Sequence, residues 1–375
     1  MDEDNKLTNP DEEQVTRLSK DGYASLKAGL IDDAEKSFAK ILEHSPHNHY
    51  ALVGMGEAAK KRGDCGSAIE FYEACLEHHA GNRYALIGLA DCFRLQRHYQ
   101  KAIDIWEKYL EQGDYDVTVL TRIADAYRKV KVFNRSREIY NKVLEIDNDN
   151  PYALNGLGHL NFDFKNYQES IYYWERMINL DQENIRVLTS LGNCYRKLRD
   201  FKKGLGYFEH AQELEPKNFY ALFGKADCYR GLNNHRKSLE AWQEILDFDP
   251  RNKVILTRAG DAYRSLGELD LAEEYYHRAL NIEFDIYAVI GLAMINKEKG
   301  NHLEVIESLT GLLANNPKNP RLILEIADAH LELGNFERAR DVLTRFVRLG
   351  GKHKQISARL EKINKSASNR GPYSL

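Results

Sequence analysis

The sequence lacks the signatures of catalytic, secreted and membrane-spanning proteins. No apolar run approaches the roughly 20 residues that a membrane-spanning helix needs. The N-terminal stretch MDEDNKLTNPDEEQ is acidic and has no apolar core, so we expect no signal peptide. There is no P-loop, Rossmann glycine pattern, nucleophile elbow, HExxH motif or zinc-finger spacing. The sequence therefore predicts neither an enzyme nor a bound cofactor.

Cysteine is scarce, and so is any excess of charge of one sign. Five cysteines without a CxxC pair do not indicate a disulfide framework. Cys92, Cys194 and Cys228 share one recurring position, which predicts small buried side chains in a reducing, cytoplasmic compartment. The 53 Lys and Arg against 57 Asp and Glu give a net charge of −4, so nothing attracts the whole chain to nucleic acid or anionic membranes.

What the sequence does contain is a unit that recurs every 34 residues. A fixed period of this length is typical of helix–turn–helix repeats. We number the places within a unit from 1, and we register ten units at 15–48, 49–82, 83–116, 117–150, 151–184, 185–218, 219–252, 253–285, 286–319 and 320–353. We expect an acidic lead-in at 1–14 with residues 1–8 disordered, a capping helix at 354–365 and a flexible tail at 366–375.

The sixth unit displays the pattern most fully. Its large apolar or aromatic residues stand at places 4, 7, 11 and 24, which are Leu188, Leu191, Tyr195 and Phe208. Small residues or proline stand at places 8, 27 and 32, which are Gly192, Ala211 and Pro216. This pattern resembles the tetratricopeptide repeat (TPR), and the resemblance extends over residues 15–353. It implies an all-α fold, a right-handed superhelix (α-solenoid) of about ten helix–turn–helix repeats plus a C-terminal capping helix. It also implies a non-catalytic scaffold or adaptor that binds a protein or peptide in its concave groove.

The repeat pattern predicts close packing of the two helices in each unit. Small residues at places 8 and 20 let the helices approach, and Gly192→Leu should cost about 1–3 kcal/mol through overpacking. Glycines between the helices are expected to end the first helix of their units: Gly63, Gly267, Gly300 and Gly334. The aromatic residue at place 24 is expected to fill the space between units: Phe38, Tyr72, Trp106, Tyr140, Trp174, Phe208, Trp242 and Tyr276.

A partner-binding surface is predicted on the opposite side of each first helix. Places 4, 7 and 11 cluster on one side and must be buried, whereas places 2, 5, 6, 9, 12 and 13 should be exposed. The TPR resemblance places the second group on the concave surface. In units three to eight it supplies our candidate residues: Tyr84, Asp91, Arg94, Thr121, Arg122, Asp125, Arg128, Tyr152, Asn155, His159, Thr189, Asn193, Arg196, Tyr220, Asp227, Arg230, Thr257, Arg258, Asp261 and Arg264.

The acids at place 9 and the cations at place 12 allow three interpretations. They form i,i+3 pairs such as Asp91 with Arg94, which as helix-surface ion pairs contribute roughly 0.2–0.5 kcal/mol each. Alternatively, each arginine reaches the acid of the adjacent unit and forms a structural ladder. In the functional interpretation, the arginines line a groove that accepts partner carboxylates or carbonyls.

A second pattern alternates between units. Some units begin with Tyr-Ala and have glycine at place 6, as at Tyr84 and Gly88, whereas others have threonine at place 5, as at Thr121. Duplication of a two-unit block is the preferred explanation, and alternating tyrosine and arginine/threonine steps for an extended partner are the functional alternative. Unit five departs from both patterns, so we expect a centre of specificity there, formed by Tyr152, Asn155, His159 and Phe162 with Asn193, unless it is merely a degenerate copy.

Two rival functions remain open at this point. A nucleic-acid-binding solenoid using the same arginines is disfavoured by the interleaved aspartates and the net charge. A self-assembling structural protein, or a homo-oligomer formed through the terminal units, is the other rival. Five histidines fall in neighbouring loops, where solvated side chains are preferred over a metal site because no ligand spacing is present: His44, His47, His49, His78 and His79.

Overall fold

The computed structural model describes residues 10–113 and 116–369, and all regular structure among them is helical. The all-α class is confirmed. The predictions of disorder at 1–8 and of a tail beyond residue 369 lie outside the described residues. The helices are α1 (Pro10–Ala28), α2 (Ile31–His44), α3 (His49–Arg62), α4 (Cys65–His78), α5 (Arg83–Leu95), α6 (Tyr99–Leu110), α7 (Val117–Lys129), α8 (Phe133–Ile146), α9 (Pro151–Asp163), α10 (Tyr167–Leu180), α11 (Ile185–Lys197), α12 (Phe201–Leu214), α13 (Phe219–Gly231), α14 (His235–Phe248), α15 (Lys253–Ser265), α16 (Leu269–Ile282), α17 (Ile286–Glu298), α18 (His302–Asn315), α19 (Pro320–Glu332), α20 (Phe336–Arg348) and α21 (Lys354–Asn369).

An Asn or Asp at the end of each unit determines where the next first helix starts. Asn48, for example, accepts a hydrogen bond from the Ala51 amide, which is one of the amides left unpaired at a helix N-terminus. The same cap precedes α5, α7, α9, α11, α13, α15, α17 and α19, at Asn82, Asp116, Asn150, Asn184, Asn218, Asn252, Asp285 and Asn319. These helices begin at the first residues of units two to ten, and we retain the ten-unit division as our proposed description of the array.

The turns between the two helices of a unit use two kinds of residue. The predicted glycine turns are confirmed: Gly63, Gly267, Gly300 and Gly334 adopt positive φ angles between 73° and 85°. In units three to seven, however, the left-handed position is held by non-glycine residues with φ between 57° and 64°: Arg97, Lys131, Lys165, Arg199 and Asn233. Left-handed backbone costs an L-residue with a Cβ roughly 1–2 kcal/mol, so these five turns carry strain that the glycine turns avoid.

The chain forms two compact bodies, Met1–Gln182 and Glu183–Leu375. In each body, consecutive helices pack against one another around a chain of small apolar cores. At the end of the second body, α21 buries Ile356 and Ile363 against Phe346 and its neighbours. The helix thus covers an apolar face that would otherwise meet water, and it runs to Asn369, four residues past the predicted boundary at 365.

The aromatic residues at place 24 form the centre of these cores, as predicted. All eight of them are at most 2% exposed. Phe208 shows why glycine recurs around them. A Cβ on Gly192, at place 8 of the same unit, would lie 2.8 Å from its ring, and a Cβ on Gly224, at place 6 of the next unit, would lie 2.2 Å from it. The ring therefore fits only because glycine is present on both sides.

This packing accounts for the glycine half of the two-unit alternation. Glycine at place 6 always follows a unit with a phenylalanine or tyrosine at place 24, and a Cβ there would lie 2.2–2.4 Å from that ring: Gly54, Gly88, Gly156, Gly224 and Gly291. After Trp106 and Trp242, place 6 instead carries Arg122 and Arg258. The alternation thus follows the shape of the preceding ring.

No helix of the described ranges 10–113 and 116–369 combines the length and the apolar character that crossing a bilayer requires.

Candidate functional site

Exposed tyrosines mark one side of the first helices. We call the surface built from places 2, 5, 6, 9, 12 and 13 the first-helix face. On it, Tyr50, Tyr84 and Tyr152 of the first body are 55%, 64% and 74% exposed. In the second body, Tyr220 and Tyr287 at the same place are 70% and 65% exposed. Tyrosine offers a large apolar ring and a hydrogen-bonding hydroxyl, so the tyrosines of either body can bury much area against a partner.

Two large cavities lie beside the first of these tyrosines. One, of about 820 Å³, is lined by residues that include Val15, Tyr23, His49 and Tyr50. The other, of about 570 Å³, shares the last three residues and extends along the first-helix face to Tyr84. The Tyr23 hydroxyl donates to the backbone oxygen of Tyr50 at 2.9 Å. Burial, the largest cause, raises the pKa of Tyr23 to about 12, so this donor keeps its proton at neutral pH.

These cavities involve residues that the sequence-based site omitted. Tyr50 belongs to the Tyr-Ala series visible in the sequence, but the candidate site was confined to units three to eight. Tyr23 occupies place 9 of the first unit, where an acid was the expected residue. The recurrence of tyrosine at place 2 was the signal that could have extended the site to Tyr50.

Two of the aspartates at place 9, Asp91 and Asp227, are each bonded by two arginines. Asp91 is 6% exposed, and it accepts hydrogen bonds from Arg94 of its own unit and from Arg122 of the next. Asp227 is 5% exposed and is bound by Arg230 at 2.9 Å and by Arg196 of the preceding unit at 2.8 Å. The expectation that these acids are exposed is wrong, because arginines of adjacent units fold over them.

Arg128 and Arg264 also contact the following unit. Arg128 bonds Asp125 at 2.8 Å and reaches Asp163 at 3.1 Å. Arg264 bonds Glu298 at 2.8 Å rather than forming the predicted i,i+3 pair, and Asp261 accepts from the Tyr276 hydroxyl at 2.8 Å. Both structural alternatives, i,i+3 pairs and a ladder between units, thus occur in the ion pairs observed.

The threonine side chains at place 5 are less exposed than predicted. Thr189 and Thr257 are 9% and 4% exposed. The Thr257 hydroxyl lies 3.1 Å from both the Lys253 carbonyl oxygen and an Asp285 carboxylate oxygen, so it helps to hold the cap of the next helix. Thr121, which is half-buried, donates to the Thr118 carbonyl at 2.8 Å. Burial by the neighbouring unit therefore withdraws place 5 from the exposed part of this face.

Arg258 is a half-buried cation at place 6 of the eighth unit. Across the part of the chain that the structure describes, no ion pair to it is found. It is the member of the predicted arginine set that is not engaged by a neighbouring acid.

In unit five, three of the predicted residues support Trp174. Its indole Nε1 donates to Asn155 Oδ1 at 3.1 Å, and His159 meets the ring edge to face at 5.2 Å between centroids. Phe162 also approaches, at 6.0 Å. Tyr152 remains exposed. In the second body, Asn193 accepts a hydrogen bond from Arg196 at 2.9 Å. The polar groups expected to hold a partner backbone are therefore largely engaged within the chain.

The half-buried position of His159 predicts a pH dependence of stability. Burial, followed by the charge of Arg128, lowers the pKa of His159 below its ordinary value of 6.5. At pH values between the pKa of His159 in the folded chain and that in the unfolded chain, the unfolded chain binds more protons. The contribution of His159 to the free energy of unfolding is therefore lost as pH falls below about 6.5. In urea unfolding at pH 7 and pH 5, His159→Gln should lose less stability on acidification than the wild type.

The matched control for this measurement is His44→Gln, because His44 is exposed. It should show the wild-type loss between the two pH values. Equal losses for His159→Gln and the wild type would contradict the assignment.

The loop histidines pack against one another. The His47 and His78 rings are 3.7 Å apart and the His49 and His79 rings 4.9 Å apart, measured between centroids. Burial, then the charge of His79, lowers the pKa of His49. Within residues 10–113 and 116–369, no three His, Cys, Asp or Glu side chains are grouped so that they could hold a metal ion. The metal alternative gains no support from this arrangement.

Comparison with protein families returns one kind of match along the chain. Three models match, each described as tetratricopeptide repeat. The first matches residues 21–74, 53–117 and 189–253, the second residues 117–150 and 255–286, and the third residues 298–358. Together they span most of the sequence. No curated protein sequence matches the chain.

Solved structures with a similar fold are distant in sequence. Yeast Tom70 is 14% identical, with 96% of this chain and 98% of that chain covered and a TM-score of 0.45. The structure titled APC/C hetero-tetramer Cut9-Hcn1 is 12% identical, with 97% and 92% covered and a TM-score of 0.44. Pseudomonas aeruginosa PilF is 17% identical, with 57% and 97% covered and a TM-score of 0.50. At 17% identity, the PilF structure bears on the fold alone.

Proposed function

Because the chain belongs to the tetratricopeptide repeat family, we propose that it is a non-catalytic protein–protein interaction scaffold that binds an extended partner segment along its first-helix face. The observation that carries the proposal is the row of tyrosines at place 2, each more than half exposed. Large exposed aromatic side chains on a rigid helix are typical anchors for a partner protein.

The N-terminal units of the first body are the favoured place for the partner. Tyr23, Tyr50 and Tyr84 line two adjoining cavities there, with apolar walls from Val53 and Ile87 and polar groups such as Arg83. Ligand sites generally combine an apolar, concave surface with a few polar groups that fix orientation. This proposal moves the centre of binding from unit five to units one to three, since the unit-five side chains are engaged with Trp174.

The arginines take a positioning role in this proposal. Arg128 and Arg196 bind acids of neighbouring units, so they fix how one unit sits on the next rather than leaving a charge free for a ligand. The same engagement weighs against the nucleic-acid alternative, because a paired arginine offers little net charge to a phosphate. A reducing, cytoplasmic location stays part of the proposal, supported by five free cysteines of which four are buried.

Removing two tyrosines tests the proposal. Tyr50→Ala/Tyr84→Ala should weaken binding of an extended peptide at least about tenfold, since buried aromatic anchors contribute roughly 1–2 kcal/mol or more each. The probe is a peptide selected from a random phage-displayed library on the wild-type protein, and its Kd is measured by fluorescence anisotropy. The strongest partner captured from cell lysate serves as a second probe.

The control is Tyr172→Ala. Tyr172 is 53% exposed but lies on α10, the second helix of its unit. The Tyr172→Ala variant should bind the peptide as the wild type does. The proposal fails if the double variant keeps wild-type affinity while its circular dichroism shows an intact fold. Charge reversal of Arg128 is a poorer test, because it would place a third carboxylate beside Asp125 and Asp163.

A further inference from the structure

The turns within units three, four and five carry a basic edge on the first body. Each turn presents a cation in the left-handed backbone conformation beside an exposed apolar side chain. The pairs are Leu95 with Arg97, Val132 with Lys131, and Phe164 with Lys165, the apolar members being 54%, 46% and 41% exposed. We call this row the basic turn edge.

The charge of this edge is of one sign over two neighbouring turns. Segments 94–101 and 128–137 contain eight Lys and Arg and no Asp or Glu. Three of these cations, Arg94, Arg128 and Arg135, pair with acids outside the two segments. Arg97, Lys131 and Lys165 are exposed, and no ion pair involves them within residues 10–113 and 116–369. A cation near a helix C-terminus is favourable for the helix dipole, but any position of the last turn would serve. The dipole therefore does not explain why lysine or arginine replaces glycine at the strained position itself.

The connections from each second helix to the next unit form the complementary row. Here an apolar residue precedes an acid: Leu110 with Glu111, Ile146 with Asp147, and Leu180 with Asp181. Ile146 and Leu180 are 58% and 52% exposed. Glu145 adds further negative charge, whereas Asp149 is paired with Arg176 at 3.1 Å. We call this row the acidic turn edge. It lies at the other end of the first helices, and since α5, α7 and α9 have 13 residues each, the two edges are about 20 Å apart.

The two edges match in chemistry and in spacing. Units three, four and five each contribute one turn of each kind, so in these units apolar–basic pairs on one edge and apolar–acidic pairs on the other recur with the same period. A second copy laid alongside the first can therefore set each acidic turn against a basic turn. The second body contains pairs of the same kinds, with Leu198 and Arg199 on one side and Phe248 and Asp249 on the other.

We propose that the basic turn edge of the first body is an interaction surface for the acidic turn edge of a second copy of this chain. The contact is heterologous, because two different surfaces meet. One copy keeps its acidic edge free and the other keeps its basic edge free. Association therefore extends to open chains of molecules instead of stopping at a symmetric dimer. It is independent of partner binding on the first-helix face, and it differs from assembly through the terminal units.

Salt and concentration provide the first test. By analytical ultracentrifugation, the weight-average mass of the full chain should rise with concentration in about 0.05 M NaCl. It should return to the monomer mass in about 0.5 M NaCl, where the Debye length has fallen to roughly 4 Å. A monomer at every concentration in low salt would overturn the proposal.

Complementary charge reversal provides the second test. Arg97→Glu/Lys131→Glu/Lys165→Glu reverses the basic edge, and Glu111→Lys/Glu145→Lys/Asp181→Lys reverses the acidic edge. Each variant alone should associate at least about tenfold more weakly than the wild type, because like charges then face each other. An equimolar mixture should associate again, since the reversed edges attract.

A control variant separates edge contacts from net charge. Lys36→Glu/Lys40→Glu/Lys142→Glu changes the net charge by the same amount as the reversal of the basic edge, but its exposed positions lie within the second helices α2 and α8. It should associate like the wild type. If the two edge variants associate as well as this control, or if their mixture stays monomeric, the edges are not the contact and the proposal is wrong.

Discussion

Gly224→Ala is expected to destabilise the second body by about 2–3 kcal/mol, although alanine is the better helix former. A Cβ at this position would lie 2.2 Å from the Phe208 ring, which is fully buried. Atoms in a close-packed core cannot approach so closely, so either the ring or α13 must move. Urea unfolding followed by tryptophan fluorescence measures the change, because Trp242 packs on Phe223 of the same helix at 5.1 Å.

Gly206→Ala is the matched control for this substitution. Gly206 also lies inside a helix, α12, but nothing comes within 4 Å of a Cβ built on it. There, alanine should stabilise the body by up to about 1 kcal/mol, since only helix propensity changes. Adding Phe208→Leu to Gly224→Ala should cost less than the sum of the two single changes. Additive effects would mean that ring overlap is not the cause.

Asp227→Ala is the second substitution with a large expected effect, a loss of about 2–3 kcal/mol. This carboxylate is 5% exposed and is bonded by Arg196 and Arg230 at 2.8 and 2.9 Å. Its removal leaves Arg196, whose side chain is only 23% exposed, without its acid in the neighbouring unit. The value lies below that for a fully buried pair, because Arg230 is 47% exposed and water can solvate it. Urea unfolding of the purified variants measures this difference.

Asp125→Ala provides the comparison at the same place of another unit. Its side chain is 40% exposed, so the loss should be about 1 kcal/mol or less. Equal losses for the two aspartates would show that burial does not govern the strength of these pairs. In that case the ladder between units would contribute less than its geometry suggests.

The fold was predictable because the repeat encodes it locally. The positions of Phe208, Gly192 and their counterparts specify two helices and the ring between them, and each unit contacts only its neighbours. The site was less predictable because helical periodicity describes one helix at a time. It places Asp227 and Thr257 on the side away from their own core, but it does not report that the adjacent unit covers that side.

The strained turns were also outside the reach of sequence patterns. Gly63 indicates a left-handed turn, because glycine adopts positive φ readily. Lys131 gives no such indication, since lysine rarely adopts positive φ. Alignment with the glycine-containing units was the available signal. The two-unit alternation was visible, but its physical cause, the fit between Gly224 and the Phe208 ring, required coordinates.

The buried thiols described above give each body its own chemical reporter. Burial, followed by the proximity of Cys65, raises the pKa of Cys92 to about 12, and burial raises that of Cys228 to about 12. Because the thiolate is the reactive form, a thiol reagent can modify these side chains only when the surrounding helices open. Cys92 lies in the first body and Cys228 in the second. The rates at which the two thiols react with an alkylating agent therefore report the openings of the two bodies separately, in a chain whose circular dichroism would average them.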